Sequence, residues 1–265
     1  MVKYASSSGT GLVLFVSTLL CIGCSTDPFN PDPGGEGFSL WGTLPWDKIT
    51  VATHGQLYVT SRRSGLRDPG YLSGAGLFSS TEHTSPGIDG GNALLADLTV
   101  SFDPSENGYL SVSQPTFGAV SSWGLAGNSA NGIPSFSGTM YLPEEIQFSS
   151  PVPTPQATLS KGDDITVTWN PDPMYDGDVV VGFRYDKSLS RFVDPSLPDA
   201  EINWFETTED DGNYVISSGE LSALPVGGIM LLVIARGNAD VMGTSSHKFY
   251  IYGYTVAEGI FRITE

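Results

Sequence analysis

Period-two alternation of apolar and polar residues constrains the fold of this chain more than any other feature. Leu98, Val100 and Phe102 share one face opposite Asp97, Thr99 and Ser101, and Ile165, Val167 and Trp169 lie opposite Thr166 and Thr168. The same spacing returns in Val179, Val181, Phe183 and Tyr185, and again in Tyr250, Tyr252 and Tyr254. Successive side chains of an extended strand point to opposite faces, so each stretch predicts a strand with one face on a core. Ile229 to Ala235 is apolar without alternation, which predicts a central strand covered on both sides. Further strands are predicted at Gln56 to Ser61, from Tyr214 to Ile216, from His247 to Tyr254 and from Ile260 to Ile263.

The connections support this reading. Asp103-Pro104-Ser105-Glu106-Asn107-Gly108 is turn chemistry, because Pro fixes φ and Gly accepts positive φ, and it predicts a hairpin between Leu98–Phe102 and Tyr109–Ser113. Helix is almost absent, with one turn predicted within Ser218 to Leu224 and ended by Pro225. A composition of 32 Gly, 18 Pro, 11 Tyr and 13 Phe suits many short strands joined by tight turns. The alternating prolines of Ser149-Ser150-Pro151-Val152-Pro153-Thr154-Pro155 predict an extended connector and a domain boundary. The expectation is therefore an all-β protein of two tandem β-sandwich domains, 38–150 and 151–265. The second, with about seven strands, is expected to be immunoglobulin- or fibronectin type III-like.

The N-terminal residues carry a different message. Lys3 is followed by an apolar run from Gly11 to Ile22 and then by Gly23-Cys24-Ser25. The run is shorter than the roughly 20 residues that a spanning helix needs, so it reads as an export signal over 1–23 whose removal leaves Cys24 at the N-terminus. This arrangement resembles a bacterial lipoprotein signal, with Ile22 and Gly23 fitting the lipobox and Cys21 standing where that family usually has Leu. The resemblance implies lipidation at Cys24. Ser25, where an Asp would retain a sorted lipoprotein in the inner membrane, implies the outer membrane. Residues 24–37 hold three prolines, three glycines and little apolar content, which predicts a tether. Both cysteines lie in the signal region, so neither a disulfide nor a zinc-thiolate site is expected in the mature body.

A second resemblance rests on the order of several short motifs. Ile88-Asp89-Gly90-Gly91-Asn92, Trp123, Gly127-Asn128, Ile133-Pro134-Ser135-Phe136, Leu159-Ser160-Lys161 and Ile165-Thr166-Val167-Thr168-Trp169 follow one another as in all-β lipoproteins of Bacteroidota-like, envelope-rich bacteria. The likeness implies architecture and location and no activity. Trp123 and Phe136 are expected to pack in a core.

The formal charge of −17, from 12 basic and 29 acidic residues, is spread over both halves of the chain. Such a field repels nucleic acid and anionic headgroups. Arg62, Arg63 and Arg67 form the one basic cluster. Catalytic signatures are missing from the sequence: His54, His83 and His247 sit in no recognisable motif, and no Gly-x-Ser-x-Gly elbow occurs. The acid-rich turns at Asp172, Asp176 and Asp178 and at Asp210 and Asp211, beside Glu209 and Asn213, are candidate calcium ligands, since alternate hard oxygens suit that ion. No other cofactor is expected. Tyr250, Tyr252 and Tyr254 share a face with Lys248, and if exposed they would form a platform for sugar rings or a protein partner.

The sequence thus predicts a membrane-anchored envelope lipoprotein with a non-enzymatic binding or structural role. The alternative is a glycan- or protein-binding surface adhesin that uses the tyrosine face. A glycoside hydrolase with carboxylates distant in sequence is a further, remoter alternative.

Overall fold

The computed structural model describes residues 53–65, 69–77, 87–154 and 156–265. Cys21, Cys24, Arg67 and His83 lie outside them, as do the expected signal and tether. The chain is all-β. Its principal sheet has eight strands: β1 (Gly55–Ser64), β2 (Gly70–Leu77), β5 (Tyr109–Ser111), β9 (Thr158–Ser160), β11 (Asp178–Tyr185), β12 (Asn203–Glu209), β14 (Ile229–Gly243) and β15 (Lys248–Thr264). Their order is β12-β11-β14-β15-β1-β2-β5, with β9 pairing in parallel with the end of β15.

Two smaller sheets accompany it. One holds β3 (Ala93–Leu95), β4 (Leu98–Val100), β6 (Ala119–Leu125) and β7 (Phe136–Leu142), in the order β4-β3-β6-β7. The other holds β8 (Phe148–Ser150), β10 (Ile165–Trp169) and β13 (Asn213–Ile216), in the order β13-β10-β8. Besides a 3-10 turn at Ser129–Asn131, the described structure has two short α-helices, α1 (Lys187–Val193) and α2 (Ser218–Leu221). The second lies inside the predicted turn and is closed by a capping box, in which Ser217 and Glu220 satisfy each other's backbone N–H groups.

Alternation decides which face each small sheet covers. Ile165, Val167 and Trp169 of β10 pack with Val179, Val181, Phe183 and Tyr185 of β11 and with Met230, Leu232 and Ile234 of β14. Leu57 and Val59 of β1 pack with Phe249 and Ile251 of β15 and with Trp123, Leu125, Met140 and Leu142 of β6 and β7. Trp123 is fully buried there, and the Phe136 ring stacks on Phe249 at 5.0 Å. The register places the inward residues of both clusters on the same face of the principal sheet. Two sandwich cores therefore lie side by side beneath one sheet.

The change from one cluster to the other along the chain falls between Leu142 and Ile146, just before the proline-rich stretch. The principal sheet nevertheless runs on without a break, because β1 pairs in parallel with β15 from Gln56↔Tyr250 to Ser64↔Glu258. Phe249 and Ile251, near the C-terminus, thereby belong to the same cluster as Leu57 and Trp123. The described residues all belong to a single compact unit.

Two local expectations differ from the structure. The turn at 103–108 joins strands of different sheets: β4 pairs with β3, β5 pairs with β2, and only a bridge between Asp103 and Gly108 links the two sides. The turn chemistry is as read, with Asn107 at φ 51°, but it makes a corner between sheets and not a hairpin ladder. The segments His247–Tyr254 and Ile260–Ile263 are one strand, β15, paired with β14 from Lys248 to Arg262.

Candidate functional site

A polar seam separates the two cores. On β14 the inward row Met230, Leu232, Ile234 continues to Arg236, where an apolar side chain gives way to a guanidinium. Arg236 Nη1 donates to Asp210 Oδ2 at 2.7 Å and to the Asn170 carbonyl at 2.9 Å, and Nε donates to the Glu144 carbonyl at 2.9 Å. Asp210, beyond the end of β12, also accepts from Trp169 Nε1 at 2.7 Å and from the Asp172 backbone N–H at 3.0 Å. Each of these donors comes from a different segment, so the ion pair ties the β12–β13 turn and the segment after β10 to the middle of the principal sheet.

Asp172 extends the network toward the neighbouring core. It accepts from the Tyr141 hydroxyl at 2.8 Å, from Glu144 N–H at 2.8 Å and from Met174 N–H at 3.0 Å. Burial by itself would raise its pKa, but these donors and the Arg236 charge together hold the carboxyl below the usual aspartate value. Burial, followed by the Asp172 contact, pushes the Tyr141 hydroxyl well above the ordinary tyrosine range. Tyr175 reaches the Gly237 carbonyl at 2.8 Å, and burial pushes its hydroxyl up to about 12. Asn238 Nδ2 donates to the Tyr141 carbonyl, and the Ile146 N–H donates to Thr255 Oγ1. The seam is thus a lattice of charge-assisted bonds between layers.

An open groove of about 550 Å³ lies at the outer end of the seam. Its lining combines the amides of Gln114, Gln147 and Asn170 with the acids Glu144 and Glu145 and the ring of Phe117. Asn170 is held from both sides, its Nδ2 donating to the Glu145 carbonyl and its Oδ1 accepting from Gln147 N–H at 2.7 Å. Glu145 accepts from Ser61 Oγ at 2.5 Å and from the Tyr71 hydroxyl at 3.5 Å, and the Tyr71 ring lies 6.2 Å from Phe117. Such a surface offers hydrogen-bond donors, acceptors and one aromatic edge to a polar ligand.

The residues singled out in the sequence are distributed differently. Tyr250, Tyr252 and Tyr254 are 4%, 3% and 4% exposed, so the expected platform is internal. The physical reason lies in β15 itself, a central strand whose opposite residues Phe249 and Ile251 are also buried. The five acids proposed for calcium do not meet: Asp172 and Asp210 are buried against protein donors around Arg236, while Asp176, Asp178 and Asp211 are exposed. Among the described residues no group of three or more acids, histidines or cysteines forms a metal cage. Arg62 of the basic cluster makes a two-pronged ion pair with Glu258. The His54 and His247 rings lie 4.6 Å apart, tilted by 38°, at the start of β15.

Arg236, Tyr141 and the groove escaped the sequence reading. The available signal was a lone arginine at the end of the apolar run Ile229–Ala235, where a charge interrupts a strand otherwise covered on both faces.

No protein-family model matches the chain, and no curated protein matches it. Among solved structures, the crystal structure of DIP-gamma IG1+IG2 aligns over 81% of this chain and 100% of its own, at 8% identity and a TM-score of 0.22. At that score the likeness carries no argument for this protein.

Proposed function

We propose that this protein is a cell-envelope lipoprotein, anchored in the outer membrane through a lipid on Cys24, whose all-β body serves a binding or structural role without catalysis. The observation that carries the reading of the body is the use made of its polar interior. Arg236, Asp210, Asp172 and Tyr141 are engaged with one another and with backbone groups across three sheets, which is the work of a brace. The anchor reading is supported by the apolar run Gly11–Ile22, by Gly23-Cys24-Ser25 and by the Pro/Gly-rich stretch that follows. Extended at about 3 Å per residue, that stretch holds the body off a membrane by up to roughly 40 Å.

The test is Cys24→Ala in cells. The expected outcome is an unprocessed precursor and loss of the protein from the detergent phase on phase separation, with the same heat stability in the folded body. Unchanged membrane partitioning overturns the anchor.

A second reading, glycan capture, is favoured at the groove and not at the tyrosines. Amides held in place by backbone bonds, beside an aromatic ring, are the groups that recognise hydroxyls and sugar faces. Gln114→Ala with Gln147→Ala is expected to abolish binding on a glycan array while leaving the melting temperature within a degree or two, since both side chains are exposed.

A further inference from the structure

The groove at the outer end of the seam rests on a floor that side chains hold in place. Arg236 donates to the carbonyls of two lining residues, Glu144 and Asn170, so its guanidinium lies directly beneath that floor. From Glu144 to Gln147 each step of the backbone is tied. Asp172 accepts from the Glu144 N–H, Asn170 donates to the Glu145 carbonyl and accepts from the Gln147 N–H, and Thr255 Oγ1 accepts from the Ile146 N–H. A floor ordered before a ligand arrives lowers the cost of binding one. The charge around it is one-sided. Glu144 and Glu145 line the groove, and among the described residues its lining holds no Lys, Arg or His. Beneath, two carboxylates, Asp172 and Asp210, face the single guanidinium of Arg236, so the seam adds negative charge to the site. Glu145 is held by protein donors, its two oxygens accepting from Ser61 and Tyr71. Glu144 is exposed, and its stem lies over Gly118, where a Cβ would stand 2.8 Å from Glu144 Cγ. The bare glycine, at φ 72°, thus lets the Glu144 side chain lie against the groove.

Resting on the reading of the groove as a glycan site, we propose that it takes sugars carrying a free amino group and that the Glu144 carboxylate selects them. The amides of Gln114 and Gln147 and the Phe117 ring serve any sugar, by hydroxyl contacts and by the ring edge. Glu144 adds what only an amino sugar can use, a carboxylate that accepts a charge-assisted hydrogen bond from an ammonium. Uronic, sialic or sulfated sugars bring negative charge to a site where four carboxylates, Glu144, Glu145, Asp172 and Asp210, outweigh one arginine, and they are turned away.

Calorimetric titration of the full chain with three oligosaccharides of equal length tests this. They are β-1,4-linked glucosamine, its N-acetylated counterpart and a uronic acid oligomer, at about pH 5.5, where the amine is protonated and the carboxylates are ionised. The glucosamine oligomer is expected to bind about three- to tenfold more tightly than the N-acetylated one, and the uronic acid oligomer not at all. The gap is expected to close in high salt and in Glu144→Gln, a change confined to an exposed side chain, with the melting temperature unchanged. Equal binding of the first two, binding of the uronic acid oligomer, or a gap that persists in Glu144→Gln overturns selection by Glu144 and leaves glycan capture standing. Binding of none of the three overturns both.

Discussion

Arg236 and Asp210 meet at 2.7 Å with side-chain exposures of 0% and 3%, an ion pair withdrawn from water between two hydrophobic cores. A pair so placed is costly to break, because the partner left behind keeps its desolvation penalty without its counter-charge. Asp210→Ala is therefore expected to lower unfolding free energy by about 3–5 kcal/mol, measured by urea denaturation. Replacing both residues together, as Arg236→Met with Asp210→Ala, should recover part of that loss. A double-mutant cycle gives the coupling directly.

Asp172 makes the stability of the seam dependent on pH. Its carboxyl is held below the ordinary aspartate value by Glu144 N–H, Met174 N–H, the Tyr141 hydroxyl and Arg236, in spite of its burial. A depressed native pKa means that the unfolded chain binds the proton more readily. The contribution is complete above the unfolded value near 4 and is lost as pH falls through the lowered native value. Asp172→Asn is expected to be less stable than the parent at pH 6, with the gap narrowing below about pH 4. Denaturant titrations across that range check the sign, and a gap that widens in acid contradicts it.

The strands were legible in the sequence because burial on one face writes itself locally. Ile165 to Trp169 alternates for that reason, whereas Val179 to Phe183 and Met230 to Ala235 are buried on both faces. Pairing was not legible, since the partner of a strand is fixed by residues far away. Nothing near Gln56 announces a parallel partner at Tyr250, and nothing near Asp103 announces that the chain will change sheets. The break expected between Tyr254 and Ile260 is absent, and β15 runs on from Lys248 to Thr264, with Leu142 packed where a side chain at Gly253 would be. The site was hidden for the same reason. Asp172, Asp210 and Arg236 are remote in sequence, and the two carboxylates read as calcium ligands of separate turns until the fold sets both beside an arginine.

Where β15 meets β1, Glu258 is 1% exposed and Arg62 closes it with two contacts, at 2.8 and 3.0 Å. Arg62 stands at the surface, so its own exposure weakens the pair, while the buried carboxylate needs the donors. Arg62→Met is expected to cost about 1–3 kcal/mol, because removing it leaves Glu258 with fewer hydrogen bonds. Arg62→Lys should recover only part, since one ammonium cannot reproduce the fork of the guanidinium. Thermal melts of the two variants, compared at low and high salt, check the order.

The last expected outcome concerns a glycine that sets how closely two strands approach. Gly182 on β11 pairs with Phe205 on β12, and a Cβ at 182 would run into the Trp204 carbonyl and the Phe205 ring. The Trp204 carbonyl is backbone and cannot rotate away, so β12 would have to shift along with the Phe183–Trp204 stack that lies on the core side. Gly182→Ala is expected to lose about 1–3 kcal/mol through this overpacking. Gly162→Ala serves as the control, because its added methyl meets only ordinary contacts at 3.6 and 3.8 Å. That control should stay within about 0.5 kcal/mol of the parent, as surface substitutions do. Equal melting temperatures for the two variants would mean that β12 moves freely against β11, and the close approach at Gly182 would then be no constraint on the sheet.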